Sequence, residues 1–452
     1  MSAKQGPRPT LNFYTRLPLG ETRDGSTSYL LALIAALRAH GIHVRVFVTA
    51  GQCEGLRPWR PWFRLLVPPE TLGELHVPGY ARLGRLFLRI NAMRPWRAEA
   101  EQMLRRVVRG GLRRVAPAAA ARLKRWVSAR RPPAGPQQPV WDTRPTEGRE
   151  RRWIERSLAQ YPADAVAMNY AYLCPALDGM GPVLRIVIMH DLFSARQKLF
   201  EQSGEKLDAA PITAEQEMAL LGKADIVVAI QQTEAAIVAR QVSSQVLHVP
   251  HPVALRTPER PQVPGRVLFV GSHNPPNVHG LSRFIEEVWP AIRAERPDAV
   301  LHVVGTVGQA FAAPPPGVRI LGPVTDLGQE YDEAEVCILP PQIGSGLKIK
   351  LVEAMAHGRA CVSTPVGVQG VEEQSRGAVA VAELGPEFGR AVLAILADPE
   401  RRRSMEQAAR AVAAAHFTPR DGADMLAEAI LERARSAPAT AAPAYAWEQE
   451  GR

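Results

Sequence analysis

The sequence predicts an α/β protein made of two doubly wound parallel sheets. Short apolar runs with the composition of buried strands alternate with stretches of helical periodicity, and this rhythm is interrupted by one proline- and charge-rich segment, His251 to Gly265. A chain of 452 residues predicts two or three domains, and 46% hydrophobic with 22% charged residues is ordinary globular composition. No run approaches the roughly 18 apolar residues of a membrane span.

The first strand is read at Leu11 to Tyr14 and is followed by a loop, Leu17 to Gly25. A helix spans Ser26 to His40, because Leu30, Leu31, Ile34 and Leu37 recur at helical spacing, and Val44 to Val48 completes a β-loop-α-β unit. Gly20, Gly25, Ser26 and Thr27 have two readings: Ser26 or Thr27 caps the helix, or the loop contacts a ligand.

Most of the chain's basic character comes from one segment. Arg82 to Arg131 holds fifteen Lys and Arg against Glu99 and Glu101, a local charge of +13 in a chain of net +10. Leu104, Val107, Val108, Leu112 and Val115 share one helical face, with Arg105, Arg106, Arg109, Arg113 and Arg114 around much of the rest. Such a helix either packs on the domain by its apolar stripe or lies on an anionic membrane, where each basic residue contributes about 1 kcal/mol. Neither aromatic platforms nor a nucleic-acid-binding module is apparent, so no nucleic acid partner is expected. Arg131 to Pro139 reads as an extended linker, placing an insertion at about 82–139.

The α/β rhythm resumes at Trp153, with strands at Ala165–Met168, Arg185–Met189, Ile226–Ile230 and Val246–Val249. Ligands of open parallel sheets bind beyond the carboxyl ends of strands, where His190 and Asp191 fall; a lone histidine there is also compatible with a structural role. The expected organisation is an N-terminal domain at 1–250, a linker at 251–265, a second domain at 266–418, a helix crossing back at 419–435 and a disordered tail at 436–452. In the second domain the expected elements are a strand to Gly271, a helix from about Gly280 to Glu295, and strands at Ala299–Val304, Val318–Leu321, Val336–Pro340 and Ala360–Thr364. Helices Pro386–Leu396 and Pro399–His416 follow. Cys53, Cys174, Cys337 and Cys361 are widely separated, so neither disulfides nor a zinc site are expected. The N-terminus lacks the apolar core of a secretory signal, which favours a cytoplasmic location, peripheral on the inner membrane face if the basic segment binds lipid.

The densest chemistry lies at Gly344 to Ala356, where a Gly-Ser-Gly turn joins a buried strand to a helix. The unpaired N–H groups of a helix start attract anions. Lys348 and Lys350 add point charges for phosphate, and Glu353, one turn on, has the chemistry to accept hydrogen bonds from a pair of sugar hydroxyls. The combination suits a nucleotide diphosphate. An ordinary turn and solvated helix is the alternative for this stretch taken alone.

Together with Phe269-Val270-Gly271-Ser272, Asn277, Val303-Val304-Gly305 and Thr364 to Gly370, this stretch resembles the C-terminal half of family 4 retaining glycosyltransferases of the GT-B fold, well over Arg266 to Phe417 and more loosely before it. The resemblance implies two Rossmann-like domains facing a central cleft and a nucleotide-diphosphate-sugar donor used as substrate, with no cofactor. It implies that Glu353 holds the donor ribose, that His190 lies near the transferred sugar, and that the loop holding Gly25, Ser26 and Thr27 faces the cleft on the acceptor side, with Asp191. In the family an earlier glutamate contacts the sugar; the matching position here is Ser345. Gly271, His273, Asn277, Gly344, Gly346, Leu347, Lys348 and Gly367 complete the expected donor site, His273 being equally read as capping a turn, and His190, Lys348 and Glu353 are the expected catalytic set.

No Asp-x-Asp pair occurs in the chain, and no metal is expected. The expected activity is hexosyl transfer to a glycan or lipid-linked acceptor in polysaccharide biosynthesis, with retention. A sugar-nucleotide epimerase of the same architecture and a catalytically silent binding protein at a membrane surface are the alternatives.

Overall fold

A computed structural model describes residues 8–17, 19, 25–49, 62–65, 69–90, 143–204, 207, 209–324, 326–418 and 422–436. Its first half runs β1 (Thr10–Thr15), α1 (Gly25–Ala39), β2 (His43–Val48), β3 (Trp62–Arg64), α2 (Pro69–Leu72), β4 (Glu74–His76), β5 (Tyr80–Leu83) and β6 (Leu86–Arg89). It continues with α3 (Gly148–Gln160), β7 (Ala165–Asn169), a 3-10 turn (Ala171–Leu177), β8 (Leu184–Met189), α4 (Phe193–Ser203), α5 (Ala214–Leu221), β9 (Ile226–Ala229), α6 (Gln232–Ala239) and β10 (Gln245–His248). Seven of these strands form one sheet in the order β10-β9-β8-β7-β1-β2-β4, every pair parallel. β1, β7 and β9 are buried on both faces, or nearly so, as a sheet covered by helices on two sides requires.

The second sheet has the order β13-β12-β11-β14-β15-β16, again all parallel. Its elements are β11 (Arg266–Val270), α7 (Pro275–Arg283), a π-helical turn (Phe284–Val288), α8 (Trp289–Glu295), β12 (Val300–Val304), β13 (Val318–Gly322), α9 (Leu327–Glu333), β14 (Val336–Leu339), α10 (Ile349–Ala356), β15 (Cys361–Ser363) and β16 (Val379–Val381). α11 (Pro386–Ala397) and α12 (Pro399–His416) pack on this sheet.

The last helix, α13 (Gly422–Ser436), returns to the first sheet, where Ala423, Leu426, Ala427 and Ile430 enter its core. Burying one leucine or isoleucine contributes about 1.5–3 kcal/mol, so this helix ties the halves together. Residues 437–452 lie outside the described residues, as does the tail expected there.

One expectation needs correction. The helix expected from Gly280 starts at Pro275, capped by Asn274, whose side chain accepts the Asn277 N–H at 2.9 Å. Residues 82–89, expected to open the basic segment, belong to β5 and β6, which with β3 make a small antiparallel sheet. Arg82 lies over Phe87, and Arg89 over Tyr80. The helical face at 104–115, the rest of the segment to Arg131 and Gly20 lie outside the described residues. Among the described residues, no helix is long and apolar enough to cross a membrane.

Candidate active site

The candidate site is the seam where the carboxyl ends of β7 and β8 meet the turn between β14 and α10. Gly344 and Gly346 both have positive φ, +119° and +74°, conformations that side-chain-bearing residues rarely adopt. At Gly346 space is also short: a Cβ would stand 3.0 Å from both the Asp191 Cβ and the His190 carbonyl oxygen. The turn therefore rests directly on His190-Asp191 of the first half.

Ser345 strengthens this contact. Its Oγ donates to Asp191 Oδ2 at 3.0 Å, and Arg196 Nη1 donates to the same oxygen at 3.1 Å. Leu347 packs against the cores of both halves, and a Cβ on Gly25, at the start of α1, would lie 3.2 Å from Ile349 Cδ1. The seam is thus continuous from Gly25 to Ser345.

Lys348 and Lys350 are partly covered cations. Lys348 Nζ donates to the carbonyls of Ser345 and Gly346 at 3.0 and 2.8 Å, and burial lowers its pKa to about 8 despite the carboxylates of Glu234 and Asp191 nearby. Lys350 Nζ donates to Asn277 Oδ1 and lies 5.0 Å from the centre of the Phe269 ring. Burial, then repulsion from Lys348, lowers its pKa to about 7. Asn277 Nδ2 donates in turn to the Ser272 carbonyl at 2.9 Å.

Glu353 lies one turn into α10. Burial raises its pKa to about 7, partly opposed by the hydroxyls of Ser28, on α1, and Tyr331, on α9. The Glu353 carboxylate is thus at the interdomain seam, not on an open surface.

His190 is buried and held in one orientation. Its Nε2 pairs with Asn169 Oδ1 at 2.8 Å; because that oxygen only accepts, Nε2 carries the proton, and Nδ1, which has no partner, carries a lone pair. Tyr170 stacks on the ring at 4.4 Å, and Tyr29 meets it edge-on. Burial lowers the His190 pKa to about 3, so the imidazole is neutral at physiological pH and offers an acceptor. Among the described residues Tyr170 alone, apart from glycine, has positive φ, at 74°; strain of this kind concentrates at ligand sites.

The other expected residues divide. Gly271 faces the Phe269 ring and Asn277, and its carbonyl would be 2.2 Å from a Cβ on Gly305, so the loops after β11 and β12 meet backbone to backbone. Gly367 is buried, its N–H bonded to Thr364, and a Cβ there would strike Ser363 Oγ. Ser26 Oγ hydrogen-bonds the Tyr170 hydroxyl at 3.1 Å, and Thr27 is buried in α1. The His273 side chain is exposed and its N–H donates to Thr306, while Asn274 does the capping.

Several neighbours were not singled out from sequence: Ser28, Tyr29, Asn169, Tyr170, Arg196, Glu234 and Tyr331. The strand-end rule that selects His190 selects Asn169 equally. Glu234 had a subtler signal, since it precedes Val238 by four residues on the buried stripe of α6. Its Oε2 is buried without a partner, and burial, then the charge of Asp191, raises its pKa to about 8.

Residues 264–398 match the family described as glycosyl transferases group 1. No curated protein matches the chain in sequence. Among solved structures, sucrose-phosphate synthase from Thermosynechococcus elongatus is similar with a TM-score of 0.58 at 17% identity, covering 95% of this chain and 100% of that one. A glycosyltransferase from Rickettsia africae gives 0.57 at 11% identity, with 96% and 100% covered. Anabaena HepE, in complex with UDP and glucose, gives 0.56 at 12% identity, with 95% and 100% covered. The two parallel sheets and these neighbours identify the GT-B fold, and residues 264–398 within it match the glycosyl transferases group 1 model.

Proposed function

We propose that the protein transfers a hexose from a nucleotide-diphosphate-sugar donor to a glycan or lipid-linked acceptor, with retention and without a metal. The observation that supports this best is the pairing across the cleft: an anion-attracting turn and two covered lysines lie against a neutral histidine with an open lone pair. A relative of the same fold binds UDP and glucose. The basic segment at 82–131 favours an acceptor at an anionic membrane surface.

In this reading the diphosphate lies on the N–H groups of Gly344 to Gly346 and the start of α10. Lys348 turns from the loop carbonyls to the phosphate oxygens, with Lys350 behind it and Asn277 orienting Lys350. These groups are fixed before reaction and stabilise charge as it develops on the leaving group. Glu353 accepts hydrogen bonds from the ribose. The bond between the anomeric carbon and the phosphate oxygen breaks with its electron pair passing to that oxygen. The acceptor hydroxyl forms the new bond on the same face and gives its proton to the departing phosphate. His190 accepts a hydrogen bond from a sugar hydroxyl through Nδ1.

The epimerase reading requires acid and base groups in the cleft, and Asp191 with Glu234 are carboxyls of that kind. Incubation with uridine, guanosine and adenosine diphosphate sugars separates the readings. Transfer predicts nucleotide release that depends on acceptor and a product whose anomeric configuration, read by NMR, equals the donor's. Donor conversion without acceptor supports the epimerase, an inverted product removes retention, and inertness toward every donor leaves the silent binding protein.

The lysines also predict a pH signature. At pH 8, Lys350, with pKa about 7, is mostly neutral and Lys348, with pKa about 8, is half charged. A bound diphosphate favours the charged forms of both. Nucleoside diphosphate binding at pH 8 should therefore take up about one proton, and affinity should fall as pH rises further. Calorimetry in two buffers of different ionisation enthalpy measures this; a buffer-independent heat contradicts it.

A further inference from the structure

Asp191 was expected on the acceptor side of the cleft. We infer instead that it binds hydroxyl groups of the transferred sugar on the donor side, with Ser345 and Arg196 as its positioning residues. The inference rests on the sugar-transfer reading and names the group that reads the sugar.

Three observations carry it. The first is place: a Cβ on Gly346 would be 3.0 Å from the Asp191 Cβ, so the carboxylate stands beside the turn proposed to hold the diphosphate, where the sugar follows. The second is fixation: the Ser345 hydroxyl and the Arg196 guanidinium both bond Oδ2, which holds the carboxylate in place beside the turn. The third is chemical complement. The Asp191 carboxylate oxygens and the His190 Nδ1 lone pair, on adjacent residues, are acceptors, so the groups they recognise are hydrogen-bond donors. A sugar presents hydroxyls in that arrangement; a phosphate does not. The Asp191 carboxylate also disfavours a donor whose sugar carries a carboxylate, so the fitting class is a neutral hexose.

A rival role for Asp191 is a plain latch, in which its bond to Ser345 only keeps the halves together. Calorimetry on wild type, Asp191→Asn and Ser345→Ala separates the two, using the nucleoside diphosphate alone and the matching nucleotide-sugar. Donor recognition predicts that Asp191→Asn keeps nucleoside diphosphate affinity within about twofold and loses tenfold or more for the nucleotide-sugar, the scale of a charged hydrogen bond. Ser345→Ala should lose less, because Arg196 still holds the carboxylate. Equal losses for both ligands in both variants would make Asp191 a latch, and an unchanged nucleotide-sugar affinity would also overturn the inference; in either case sugar transfer stands. If wild type binds neither ligand, the transfer reading falls and this inference with it.

Discussion

Lys348→Ala is expected to lower kcat by about 100- to 1,000-fold, the scale of removing one preorganised charge donor from a site where negative charge develops. The ammonium is covered enough for burial to bring its pKa down to about 8, and it is tied to the carbonyls of its own turn, ready to be redirected. Its loss removes an interaction that strengthens in the transition state, so KM should change far less than kcat. Lys348→Arg keeps the charge but places a planar fork where a compact ammonium fits, and should recover only part of the rate. Steady-state kinetics with the cognate donor checks this. A kcat within threefold of wild type would remove Lys348 from the chemistry.

The second large effect is on nucleotide affinity. Glu353→Gln should weaken nucleoside diphosphate binding by about 10- to 100-fold, because ribose hydroxyls then lose an ionised acceptor. The same variant should carry a stability signature with a definite sign. Burial raises the folded-state pKa of Glu353 from 4.5 to about 7, so between those values the folded chain binds more protons than the unfolded chain. Wild-type stability from this group is therefore highest at low pH and declines as pH rises from about 4.5 to about 7. Glutamine resembles the protonated form, so Glu353→Gln should gain stability relative to wild type between pH 5 and pH 8. Thermal melts at the two pH values measure the difference. Equal differences would mean that the carboxyl is ionised throughout.

Strands and their alternation with helices were legible because parallel sheets covered on both faces require near-continuous apolar runs, as in β7 and β9. Where the reading slipped, a second contact had changed the meaning of a residue. Gly280 looked like a helix start, yet it lies inside the helical run from Pro275, where a Cβ would come 2.4 Å from the Pro340 carbonyl oxygen. It is a close approach between helix and strand end, and the real start signal was Asn274 followed by proline. At Arg82 to Arg89 the arginines signalled charge, while the antiparallel pairing of 80–83 with 86–89 around a short turn went unread.

The candidate site shows the same division. Gly344 to Glu353 was legible because its turn, cations and carboxylate are contiguous in sequence. What faces it was not. Ser345 and Asp191 are 154 residues apart, and the contacts of Ser28 with Glu353 and of Gly25 with Ile349 also arise only when the halves close on each other. Local pattern carries no information about such pairs, which is why the Ser345–Asp191 bond was not anticipated and Glu234 was passed over.

The most direct test of the donor-site account is a crystal structure of the protein with the nucleoside diphosphate of its donor. The account predicts the β-phosphate within hydrogen-bonding distance of the Gly346 N–H and Lys348 Nζ, and the ribose hydroxyls on the Glu353 carboxylate. A diphosphate bound away from the turn between β14 and α10, or a ribose that does not touch Glu353, would contradict it.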